Sequence, residues 1–169
     1  VRVDDLLKEV KESPSSRMRH SGATLKVVAE SFVCVVDDRR LLRSIENLIQ
    51  NSIQAFAGKP GSVTVTASAR AGRLEVAVTD DGPGIPEEVR GTLFEPFVSH
   101  GKGHKSGLGL SVVKRVVEAH GGSVEARSLQ EGGTHIVLTM PLMAPAAQEA
   151  RQLAPETPVK KTGRPTQPI

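Results

Sequence analysis

Tryptophan and tyrosine are absent, and four phenylalanines are the only aromatic residues in a chain of 169. Stacking of bases on aromatic faces therefore has almost no material here, and a net charge of +3 supplies no strong basic surface. A dedicated nucleic-acid binder is not expected. The single cysteine, Cys34, rules out a disulfide framework, which fits a reducing cytosol. Its neighbours Val33, Val35 and Val36 mark it as a small buried apolar residue rather than a reactive thiol. No uninterrupted apolar run approaches the roughly 20 residues needed to cross a bilayer, and no secretory pattern opens the chain. A cytoplasmic location is expected, and membrane anchoring of a full-length protein is left open. A chain opening on Val1 without Met fits a piece of something longer. Its length suits one domain with a real core and is short for two.

What is present is periodic. Residues 4 to 12 place Leu6, Leu7 and Val10 on one helical face, with Asp4 and Asp5 in the first turn, where they oppose the helix dipole. Residues 13 to 22 read as a loop. Leu25, Val27, Val28, Phe32, Val33, Val35 and Val36 then predict one or two strands. Asp37 or Asp38 caps a long helix to about Ala57, ended by Gly58, Lys59, Pro60 and Gly61. Its apolar face is Leu41, Leu42, Ile45, Leu48, Ile49, Ser52, Ile53 and Phe56. On another stripe fall Asn47, Gln50, Asn51 and Gln54, all carboxamides. Solvated helix faces usually carry Lys and Glu, so uncharged amides point to a polar interior surface, against the alternative of chance placement on an exposed face.

Two strands, Val63 to Ala69 and Leu74 to Asp80, are predicted as a hairpin about the turn Arg70 to Arg73. The second alternates with period two and delivers Asp80 to a strand end, followed by Asp81-Gly82-Pro83-Gly84-Ile85-Pro86. Such residues alone would make a plain turn. Gly82 and Gly84 also free the backbone angles and remove side chains that would hold a flat ligand away. Pro86 to about Leu93 reads as helical, and residues 98 to 106 as a basic, glycine-containing loop. Gly107-Leu108-Gly109-Leu110 opens a helix expected to bury Val112, Val113, Val116, Val117 and Ala119 and to end at Gly121-Gly122. Strands Val124 to Arg127 and Thr134 to Met140 flank Gln130-Glu131-Gly132-Gly133. From 144 to 169 the Pro/Ala/Gln-rich chain reads as a disordered tail or linker, leaving 1 to 143 as the domain. There are no internal repeats. The order predicts an α+β fold, a mixed sheet covered by helices on one face.

Together these parts match a nucleotide. A carboxylate at a strand end accepts from the exocyclic amine of adenine and repels the carbonyl that guanine presents there, so Asp80 selects the base. The helix start at Gly107 and Gly109 offers free N–H groups and a positive dipole end to phosphates. Lys102, Lys105, His100 and His104 add positive charge. The amide oxygens of Asn51 and Asn47 suit Mg²⁺. There is no Gly-x4-Gly-Lys-Ser/Thr stretch, no G-x-G-x-x-G set and no pair with zinc-ligand spacing.

At this point the motifs resemble a known superfamily. Asn47-Leu48-Ile49-Gln50-Asn51 is similar to the N box of GHKL proteins, and Asp80-Asp81-Gly82-Pro83-Gly84-Ile85 to their first glycine box. Leu93-Phe94-Glu95-Pro96-Phe97 resembles the F box, and Ser106-Gly107-Leu108-Gly109-Leu110 the second glycine box. The wording is closest to the ATP-binding catalytic domain of sensor histidine kinases, over roughly residues 2 to 142. The resemblance implies the Bergerat fold, a two-layer α/β sandwich, with ATP and Mg²⁺ between the N-box helix and a lid at 98 to 106. Carried over by motif, the ATP site comprises Asn47, Asn51, Gln54, Asp80, Gly82, Gly84, Ile85, Phe97, Lys102, Lys105, Ser106, Gly107, Leu108, Gly109, Leu110 and Thr134, with Asn47 and Asn51 catalytic and Asn51 on the metal.

ATPases of the superfamily place a Glu four residues before the Mg²⁺-binding Asn to activate water. Asn47 occupies that position here and cannot take a proton near neutral pH. Glu46 is turned about 100° around the helix from it. Hydrolysis is expected to be slow, with phosphoryl transfer resting on positioning and charge neutralisation. The resemblance implies a phosphoacceptor histidine followed by an acidic residue and, a few positions on, a proline. None of His20, His100, His104, His120 and His135 has that context. A histidine-bearing dimerisation domain, in cis upstream or in trans, is the expected partner, and a response regulator an indirect one. Two departures stand out: Lys105 where many relatives carry glycine, and Gln54 where many carry a basic residue. Phe94 and Phe97 suit packing of the lid base and a role in the site equally. The alternatives are a regulatory module that binds nucleotide without transfer, and an anti-sigma-type protein-serine kinase.

Overall fold

The computed structural model describes residues 1–12, 22–97 and 109–142. Helix α1 spans Val3–Glu12, strand β1 Ala23–Ala29, helix α2 Asp38–Ala55, strand β2 Gly61–Arg70 and strand β3 Arg73–Asp80. A 3₁₀ turn, Glu87–Val89, precedes helix α3 at Gly109–Ala119 and strands β4 at Ser123–Ser128 and β5 at Thr134–Pro141. The five strands lie in the order β1-β2-β3-β5-β4. Only β1 and β2 run parallel, because α2 carries the chain back between them; the other neighbours are antiparallel.

The pleat sorts the sheet into two faces. On β3, Leu74, Val76, Val78 and Asp80 are buried while the residues between them are half-exposed. In register, Val76 lies between Ala67 and Leu138, and Val78 between Val65 and Ile136. These rows join one core with Val3, Leu6, Leu7 and Val10 of α1, Leu41, Ile45, Leu48 and Ile49 of α2, and Val113 and Val117 of α3. That is the expected mixed sheet with a helical layer on one face. Asp80 ends the innermost strand in the same row, opposite Val63 on one side and Thr134 on the other. A carboxylate has taken an apolar position in the core-facing layer.

Several local expectations are corrected. The valine-rich segment Phe32 to Val36 is not a second strand: Val33 makes one isolated bridge to Arg2, and Cys34 exchanges backbone contacts with Val1. There the chain crosses under the start of α1, which buries Cys34 and leaves Val33 55% exposed. Asp37, not Asp38, caps α2, its carboxylate accepting from Arg40 N–H at 3.0 Å. The helix ends at Ala55 with Phe56 as its cap. Pro86 to Leu93 is a 3₁₀ turn and further turns rather than a helix. On α3, Val112 and Ala119 are exposed, since they lie on the order of 120° around the helix from the buried Val113–Val117 line. Residues 13 to 21 of the expected loop 13 to 22, the basic loop 98 to 106 and the tail 144 to 169 lie outside the described residues.

Candidate functional site

At the end of β3 two buried polar residues of the core, Asp80 and Ser52, meet. Asp80 is 6% exposed, and three donors hold its carboxylate. Gly82 N–H and Thr134 N–H both donate to Oδ1, at 3.0 and 3.1 Å, and the Ser52 hydroxyl donates to Oδ2 at 2.8 Å. An ionised carboxylate offers about four acceptor sites, so roughly one remains, on Oδ2. Charge-assisted bonds of this kind make burial of the group tolerable.

The turn around it is built to fit. Asp81 clips the exit of β3 to the start of β2: its carboxylate accepts from Ser62 N–H at 2.7 Å, and its own N–H reaches Ser62 O at 3.3 Å. Asp81 therefore shapes the turn, while Asp80 faces the core. At Gly82 the need is for space, not for an unusual angle, because a Cβ there would lie 2.9 Å from Asp80 Oδ1 and 3.4 Å from the Phe56 ring. Gly84 does require its φ of 84°, which side chains disfavour. Ile85, 8% exposed, is pinned through both backbone groups by Ser128 Oγ, at 3.0 Å from its N–H and 3.3 Å from its carbonyl. At Gly133, with φ 104°, a Cβ would sit 2.0 Å from Asp80 O, so the β4–β5 turn approaches β3 as only glycine allows.

From α2, Asn47 and Asn51 are half-exposed and Gln54 exposed on the stripe beside the buried Ser52. Among the described residues, none bonds to the side-chain amides of Asn47, Asn51 or Gln54. Helix α3 packs on α2, and its start brings half-exposed Gly109 and Leu110 into the same layer. Of the F-box phenylalanines, Phe94 packs against the core while Phe97 is 78% exposed with φ 67°, which separates two residues read alike from sequence. Lys102, Lys105, Ser106, Gly107 and Leu108 lie outside the described residues. No cluster of three or more His, Cys, Asp or Glu side chains forms a metal cage among the described residues.

Ser52, Ser128 and the close approach of Gly133 were missed as builders of the site. Ser52 had left a signal, a hydroxyl within an otherwise apolar helix face. Ser128 left none, because it acts across 43 positions of sequence.

A buried carboxylate ending a central strand, glycine turns packed against it and an amide-bearing helix alongside define a Bergerat-type ATP-binding domain. Residues 36–144 match the family described as "Histidine kinase-, DNA gyrase B-, and HSP90-like ATPase", and the chain belongs to it. Within that family it is of the histidine-kinase catalytic type. Sensor protein DivL of Caulobacter vibrioides is 32% identical over 158 residues, 92% of this chain and 20% of DivL. Sensor histidine kinase ZraS of Escherichia coli O157:H7 is 38% identical over 106 residues, 63% of this chain and 23% of ZraS. The chain thus spans a fifth to a quarter of these relatives. The catalytic domain of histidine kinase ThkA superposes with a TM-score of 0.74 at 26% identity, covering 84% of this chain and 95% of that one. Full-length ShkA in complex with AMPPNP gives 0.74 at 31% identity, covering 85% and 31%.

Proposed function

We propose that residues 1 to 143 form a catalytic domain that binds Mg-ATP and passes the γ-phosphoryl group to a histidine on a separate dimerisation domain, in cis or in trans. Residues 144 to 169 are read from their composition as a tail or linker outside that domain. The observation that carries the base assignment is Asp80: three protein donors orient its carboxylate, and the remaining acceptor site suits the adenine amine. Gly82, Gly84 and Ile85 shape the floor beside it, with Thr134 at its edge. Neighbouring ShkA in complex with AMPPNP supports the nucleotide, and a ThkA structure in complex with response regulator TrrA supports a regulator as the eventual recipient. Among the described residues no helix is long and apolar enough to cross a membrane, and the reading places this domain in the cytoplasm.

Asn51 fits a Mg²⁺ role, because its half-exposed amide is not held by another described side chain and offers one hard oxygen to a cation that keeps much of its water. When bound, the ion would neutralise phosphate charge. Asn47 stands where a hydrolase needs a carboxylate, and an amide leaves an attacking water without a base. The acceptor histidine forms its N–P bond as the O–P bond to ADP breaks, and its own acidic neighbour receives the proton. Lys102, Lys105, Ser106, Gly107, Leu108, Gly109 and Leu110 are assigned to the phosphates.

The test combines this domain with an intact histidine-bearing dimerisation domain and γ-labelled ATP. Acid-labile, base-stable label on histidine is the expected result, with slow ATP hydrolysis by the domain alone. Label on serine would make it a protein-serine kinase, and ATP binding without transfer a regulatory module.

A further inference from the structure

Two serines are buried on α2, and they spend their hydroxyls differently. Ser44, 1% exposed, donates to the carbonyl of Arg40 in its own helix at 2.8 Å. Ser52, 6% exposed, instead reaches across to Asp80 Oδ2 at 2.8 Å, although a carbonyl four residues back is available to any helical serine. The two backbone donors on Asp80, from Gly82 and Thr134, both meet Oδ1. Contacts at one oxygen locate the carboxylate without fixing the direction of the other. The Ser52 bond supplies the missing constraint.

We propose that Ser52 is a positioning residue for base selection, fixing Asp80 Oδ2 so that its free acceptor site points at an amine of the bound purine. This deepens the reading of Asp80 as the adenine-binding carboxylate and rests on it. An acceptor held rigidly toward a donor rejects a 6-oxo purine, because a carbonyl placed there meets a lone pair with no proton between them. A carboxylate free to swing relieves that repulsion and loses selectivity. Ser52 also follows Asn51 on the same helix, so one rigid element positions groups for both the base and the triphosphate.

The experiment is calorimetric titration of the parent, Ser52→Ala and Ser44→Ala with ATP and with ITP, whose base carries a carbonyl in place of the amine. The parent should prefer ATP, Ser52→Ala should lose about tenfold of that preference, and Ser44→Ala should keep it. If Ser52→Ala is too unstable to titrate, Ser52→Cys fills nearly the same space with a weaker donor and should lose preference in the same direction. An unchanged ATP-to-ITP ratio in the Ser52 variant, including equal weakening of both nucleotides, would overturn the inference and make Ser52 structural. A parent that binds both nucleotides alike would overturn the Asp80 reading itself, a distinguishable failure.

Discussion

The Asp80 corner and the amide stripe of α2 lie on adjoining elements and are built on opposite terms. At Asp80 the protein holds both carboxylate oxygens, and the turns around it tolerate glycine alone at the closest approach. On the stripe, Asn47 and Asn51 stand half-exposed, and no other described residue bonds to their amides. Groups that the fold has already satisfied contribute to stability as well as recognition. Those left open can serve a ligand at little cost to the fold. On the proposed assignment the base end is accordingly preorganised, whereas the phosphate end would be ordered by ligand and ion.

Substitutions separate the two. The largest effect is expected at Gly133→Ala, where a methyl group would overlap Asp80 O and the φ of 104° is strained for any side chain. Denaturant titration should show a loss of at least about 3 kcal/mol. Asp80→Asn should come next, weakening ATP binding by about 1.5–3 kcal/mol and lowering the melting temperature as well, because an amide NH₂ would face donors that now meet a carboxylate. Asn51→Ala should divide the effects cleanly. Mg²⁺-dependent ATP affinity falls about tenfold, while stability holds or rises, alanine being the better helix former. A marked drop in melting temperature for Asn51→Ala would break the comparison.

The smallest effect concerns the open face of the sheet, behind the corner. His135 bonds Thr79 Oγ1 through Nδ1 at 2.8 Å, and burial, with a lesser push from Arg127, lowers its pKa below the ordinary 6.5. Below pH 6.5 the unfolded chain takes up a proton that the folded chain resists, so stability declines as pH falls toward the depressed value. Melting temperatures of His135→Gln should fall less between pH 7.5 and 5.5 than those of the parent. Parallel curves would show that His135 plays no part.

Periodic elements were legible in the sequence because each is dictated locally. The α2 stripe, the two hairpins and the Asp80 strand end all follow from spacing. The valine run at 32 to 36 misled because branched residues favour strands wherever they occur, and only the tertiary crossing of Val1 and Arg2 over Cys34 decides otherwise. Val112 misled because valines on α3 outnumber the positions of one buried line. In the candidate site, the residues assigned to the ligand could be named from the sequence, whereas their supports could not. Asp80 announces itself by position, but its partnership with Ser52 spans 28 residues and that with Thr134 spans 54, beyond any local pattern.

That separation has a consequence for the order of assembly. The β2–β3 hairpin closes through a two-residue connection between Arg70 and Arg73, whereas the contacts that make the Asp80 corner span 28, 43 and 54 positions. Loop-closure entropy weighs against such distant pairings, so a chain in which only the β2–β3 hairpin has closed holds neither the Ser52 nor the Thr134 contact of Asp80. A nucleotide then stabilises only the finished molecule, by about 2.7 kcal/mol at a hundredfold excess over its dissociation constant. Bound nucleotide would thus shelter variants damaged far from the pocket, by an amount that rises with the logarithm of its free concentration.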